Sequence, residues 1–64
     1  MSEETNTALR YRQHAEELRV IAEHEREPTT RDALMRIAED YERMAGTLEA
    51  IDRTNKAMKK RGPP

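Results

Sequence analysis

From Leu34 onward, large apolar residues recur at alternating intervals of three and four: Leu34, Ile37, Tyr41, Met44, Leu48 and Ile51, with Asn55 and Met58 continuing the phase. Such spacing averages about 3.5 residues and lines side chains along one seam of a helix. The positions between are mostly Glu, Asp, Arg and Thr. A shorter stripe of the same kind runs through Tyr11, His14, Leu18 and Ile21, flanked by Ala15 and Ala22. Extended backward it meets Thr7 and Glu4, so its apolar character fades toward the N-terminus. Each stripe predicts an amphipathic helix that must cover its apolar side with another helix.

Punctuation residues set the expected boundaries. Thr5 or Asn6 is a suitable N-cap, placing the first helix over about 5–26. Pro28 disfavours helical geometry in the residue before it and marks a turn over about 27–29. Thr29 followed by Asp32 approximates a capping box for a second helix over about 30–59. Gly46 is the one interruption, yet the seam keeps its phase from Tyr41 and Met44 to Leu48 and Ile51, which predicts a continuous helix. Arg61-Gly62-Pro63-Pro64 cannot continue it, so 61–64 reads as a disordered tail.

A connection of two to four residues makes the helices antiparallel neighbours. The expected fold is therefore all-α, a two-helix hairpin in a single domain. Folding back about Pro28 sets Ile21 near Leu34 and Ile37, His14 opposite Tyr41, and Tyr11 near Met44 and Leu48. Asn55 and Met58 would project past the hairpin. With Val20 and Met35 off the main stripes, and Ala15, Ala22, Ala38 and Ala45 beside them, the apolar face is wider than one neighbour covers. That width predicts a homodimeric four-helix bundle.

Composition strengthens this expectation. A core in a chain of 64 residues seldom supplies more than about 3–5 kcal/mol. Cysteine is absent, which removes disulfides and thiolate metal sites, and the aromatics are two tyrosines. Oligomerisation is the remaining route to stability. Charged residues make up 39% of the chain at a net charge of −1, as a solvated helical surface would. No apolar run reaches the roughly 20 residues a membrane span needs, and no hydrophobic segment follows Met1 as a signal peptide requires. The expected location is the cytoplasm, without membrane attachment.

Chemistry has little to work with. No Glu-x-x-His pair is present to hold metals between helices; only its mirror, His14-Ala15-Glu16-Glu17, occurs. His14 is expected in or beside the seam, hydrogen-bonded to the Tyr41 hydroxyl, and His24 on a solvated face near the turn. The lone serine, Ser2, lies at the chain start, and no phosphate-binding loop exists. Carboxylates four residues from arginines, as in Asp32, Arg36 and Asp40, Glu39 with Arg43, and Glu49 with Arg53, suit helix stabilisation of about 0.2–0.5 kcal/mol per pair. No catalytic, cofactor or metal site is expected. Arg53, Lys56, Lys59, Lys60 and Arg61 form a basic end without an acid among them. They complement the dipole of a helix C-terminus, and they are also candidates for an anion contact.

The stretch Tyr11-Arg12-Gln13-His14-Ala15-Glu16-Glu17-Leu18-Arg19-Val20-Ile21-Ala22-Glu23, Pro28-Thr29-Thr30-Arg31 and Leu34-Met35-Arg36-Ile37-Ala38-Glu39-Asp40-Tyr41-Glu42-Arg43-Met44-Ala45 resembles a group of very short α-proteobacterial proteins. That group pairs a Tyr-Arg-x-x-Ala-Glu-Glu-Leu-Arg-x-Ile-Ala helix with a Leu-x-x-Ile-Ala-x-x-Tyr-x-x-Met-Ala helix across a proline turn. The similarity covers about residues 10–52. It implies a helical hairpin in a bacterial cytoplasm and carries over no active-site assignment. The function expected from the sequence is a non-enzymatic, self-associating interaction module. The alternatives are a small nucleic-acid-associated regulator using the basic end, and an antitoxin-like chain completed by another protein.

Overall fold

In the computed structural model residues 2–61 are described, with side chains as far as Met58. Two helices, α1 (Glu3–Glu23) and α2 (Pro28–Arg61), pack antiparallel as an all-α hairpin. Of the expected tail over 61–64, Arg61 instead ends α2, and 62–64 lie outside the described residues.

The helix ends differ from the sequence reading by a few residues, each for a local reason. α1 starts two residues earlier because Ser2 caps it, its Oγ accepting from the Thr5 N–H at 3.0 Å. Glu3 and Glu4 follow in the first turn, where negative charge suits the helix dipole. α1 stops at Glu23, one residue after the last buried position, Ala22. The His24 N–H then bonds back to the Ile21 carbonyl, and its Nδ1 lies 2.9 Å from the Val20 carbonyl oxygen. α2 starts at Pro28, where a missing N–H costs nothing and the fixed φ already suits the helix. Its cap is Glu27, not Thr29: Glu27 Oε1 accepts from the Thr29 N–H at 3.1 Å and the Glu27 carbonyl from the Arg31 N–H at 2.9 Å. α2 runs through Gly46 unbroken. A methyl group placed on Gly46 would meet nothing within 4 Å.

Because α1 reaches back to Glu3, it covers more of α2 than the sequence reading allowed. Thr5 donates to Asp52 across the helices at 3.2 Å, so α2 is partnered one residue past Ile51.

The line of closest approach is made of alanines. Ala8, Ala15 and Ala22 on α1 and Ala38 and Ala45 on α2 are buried, all at intervals of seven, and Asp52 takes the next place in the α2 row. Among the described residues, no larger side chain is fully buried. Methyl groups let helix axes approach toward the short end of the usual range, about 8 Å. They also leave little interior: a buried methyl contributes about 0.8 kcal/mol, against about 1.5–3 for a buried Leu or Ile. The large apolar residues named as the seam flank this row on one side instead of filling it.

Candidate interaction surface

The two flanks of the alanine row differ in chemistry. On one flank, Arg12 and Arg19 stand seven apart on α1, facing Glu49 and Glu42, also seven apart, on α2. Arg12 pairs with Glu49 through both Nε and Nη2, and Arg19 Nη2 lies 2.9 Å from Glu42 Oε2. Hydrogen bonds donated by the guanidinium groups hold Glu42 and Glu49 below the usual carboxylate range, against the opposing effect of partial burial. Each arginine is in turn held above its ordinary value, chiefly by the same hydrogen bond. These ladders fix the antiparallel register and finish that side with charge.

On the other flank lie the residues of the two apolar stripes. Tyr11, Leu18, Leu34, Tyr41 and Leu48 are half-buried beside the alanines. The Tyr11 and His14 rings each pack against Tyr41 with centroids 5.5 Å apart. Further out, Ile21, Ile37, Met44 and Ile51 are 53, 45, 42 and 43% exposed. Thr7, Tyr11, Met44 and Leu48 line a shallow depression in this face. The hairpin thus brings together every stripe residue expected from the sequence, on one side, with an uncovered apolar surface.

His14 belongs to this face but is exposed. It meets Tyr41 ring to ring, and its Nδ1 is 3.8 Å from Glu17 Oε2. Val20, Met35 and Leu9 are exposed too, but helical phase puts them away from this face, on the ionic flank or the outer surface. They form no second stripe.

At the open end, Asp52 sits where the α2 row would next place an alanine and is buried. The Ser2 hydroxyl, then the Lys56 ammonium and the Thr5 hydroxyl, hold its carboxyl below the ordinary range, while burial works in the opposite direction. Lys56 Nζ is 3.1 Å from Asp52 Oδ2. Of the candidate anion contacts, Lys56 is therefore engaged within the hairpin, Arg53 is exposed, and the side chains of Lys59, Lys60 and Arg61 lie outside the described residues. Among the described residues, no three His, Asp or Glu side chains gather as a metal site would require. Among them, also, no helix is long and apolar enough to cross a membrane.

No family model, characterised protein or solved structure matches this chain. The surface itself is then the whole basis for a functional reading.

Two features escaped the sequence reading, and both carry a signal in it. Alanine recurs every seventh position at 8, 15 and 22, and again at 38 and 45. Arginines at 12 and 19 and glutamates at 42 and 49 keep the same interval. A heptad of small residues marks close helix approach, and matched heptads of opposite charge mark facing edges.

Proposed function

We propose that this protein is a non-enzymatic helical association module, and that its apolar face pairs with the same face of a second copy to make a four-helix bundle. One observation carries the reading: the hairpin is a single layer with an uncovered apolar side. Its principal extents are 58 × 17 × 10 Å, and its radius of gyration is 15.9 Å where a compact chain of this length would have about 11 Å. A domain needs two packed layers to enclose a core.

The surface area leads to the same reading. The chain exposes 5225 Å², while a folded monomer of 7.5 kDa exposes about 4200 Å². The excess, about 1000 Å², is close to the roughly 800 Å² that each partner contributes to a stable interface. Face-to-face pairing would cover Ile21, Ile37, Met44 and Ile51 and leave the Arg–Glu flanks in solvent. Such a bundle serves as a scaffold or adaptor in the cytoplasm, the setting that the sequence resemblance implies. The basic end of α2 supplies no comparable observation for nucleic acid among the described residues: Lys56 is paired with Asp52, Arg53 is exposed, and the side chains of Lys59, Lys60 and Arg61 lie outside them.

Light scattering over a wide concentration range, with helicity followed in parallel, tests this. A mass of twice 7.5 kDa with full helicity is the expected result. A partly helical monomer would overturn self-association and assign the face to a different protein.

A further inference from the structure

The alanine row of α2 ends in a carboxylate. Ala38 and Ala45 are followed at the same interval by Asp52, of which only 7% is exposed. Alanine would serve the close helix approach at this level and would spare the cost of taking a charge out of water. The carboxylate is engaged, and among the described residues no buried side-chain oxygen or nitrogen lacks a hydrogen-bond partner. A single polar residue kept in an otherwise apolar row is a device for specifying structure, and its partners identify what it specifies.

Those partners lie at the start of α1. Thr5 Oγ1 donates to Asp52 Oδ2 at 3.2 Å, and Ser2 Oγ donates to Thr5 Oγ1 at 2.8 Å. Ser2 Oγ is also the cap of α1, accepting from the Thr5 N–H at 3.0 Å. A chain of bonds therefore runs from the α2 carboxylate through two hydroxyls to an otherwise free N–H in the first turn of α1. Lys56, one turn further along α2, pairs with the same carboxylate oxygen at 3.1 Å.

Apolar packing does not hold this segment. It reads Ser2-Glu3-Glu4-Thr5-Asn6-Thr7, with no large apolar side chain, and the first buried residue of α1 is Ala8. From Ala8 onward α1 is secured by the alanines and by the pairs Arg12–Glu49 and Arg19–Glu42. Helix ends with few buried apolar contacts open separately from a packed middle. We infer that residues 2–7 form a strap on the open end of the hairpin, fastened to α2 by Asp52 and releasable with the rest of the fold intact. A carboxylate 47 residues from Thr5 in sequence thereby sets the cap of α1. Thr5 stands seven residues before Arg12, on the ionic flank, so the fastening lies away from the apolar face and does not depend on self-association.

Backbone carbon chemical shifts of the full chain read helix formation residue by residue and test the strap. Asp52→Ala should move Glu3–Thr7 most of the way from helical to coil values and leave Ala15–Ala22 and Ala38–Ala45 unchanged. Thr5→Val removes the hydroxyl, keeps the branched shape, and should shift the same segment in the same direction. Helical values kept over Glu3–Thr7 in Asp52→Ala would overturn the fastening, because the segment would then be held by its own helix propensity. If Asp52→Ala fails to fold, Thr5→Val decides. A change confined to Glu3–Thr7 supports the strap, and no change or a change along the whole chain overturns it.

Discussion

Ile37→Asp separates the two surfaces of α2, because Ile37 lies on the apolar face and not in the alanine row. In the hairpin alone Ile37 is 45% exposed, so roughly half of its apolar surface is left for a partner to cover. Full burial of isoleucine is worth about 1.5–3 kcal/mol, so covering the rest contributes about 1 kcal/mol per copy and about 2 for the pair. Aspartate forfeits this and brings a short carboxylate that cannot reach the rim. Each buried unpaired charge adds a penalty of several kcal/mol. The dimer is therefore weakened by at least about 5 kcal/mol, more than a thousandfold in Kd. The effect on the lone helix is small, within about 0.7 kcal/mol. Light scattering on the variant should return a monomer from micromolar to millimolar concentration. A dimeric mass at micromolar concentration would refute the assignment of this face.

Three further outcomes test other parts of the structure, each at fixed protein concentration. Gly46→Ala fills open space in mid-helix and should stabilise by about 1 kcal/mol, raising Tm by about 4–8 °C; a loss of stability would place an unrecognised contact at Gly46. Ala45→Leu forces a large side chain into the closest helix approach and should cost about 1–3 kcal/mol, while Ala50→Leu, on an exposed position, should not; equal effects would refute the alanine line. Glu42, Glu49 and Asp52 are all held below their ordinary values, so the unfolded chain takes up protons first as pH falls. Their contribution is complete above the ordinary carboxylate range and is lost on acidification from about pH 5 to pH 3 and below. Tm followed by circular dichroism should fall across that window, and a flat profile would sink the role of the ion-paired flank.

The period of the apolar positions and the single proline turn were enough to determine two helices, their antiparallel arrangement and the side of each that is apolar. Continuity through Gly46 was legible as well, since the phase of the stripe carries across it. These are local properties: helix geometry converts spacing directly into direction, and a short turn leaves one way to fold back. What the tertiary structure alone decided is which part of the apolar side faces the other helix. A stripe spans a third or more of the helix circumference, and spacing does not say where within it the nearest approach falls. That choice depends on how closely two backbones can come, and alanine permits the closest contact. Ala8, Ala15 and Ala22 therefore took the interior opposite Ala38 and Ala45, with Arg12 and Arg19 turned to Glu49 and Glu42 on one flank. Leu18, Ile21, Ile37, Tyr41, Met44 and their neighbours were displaced to the other, where a monomer has nothing to cover them.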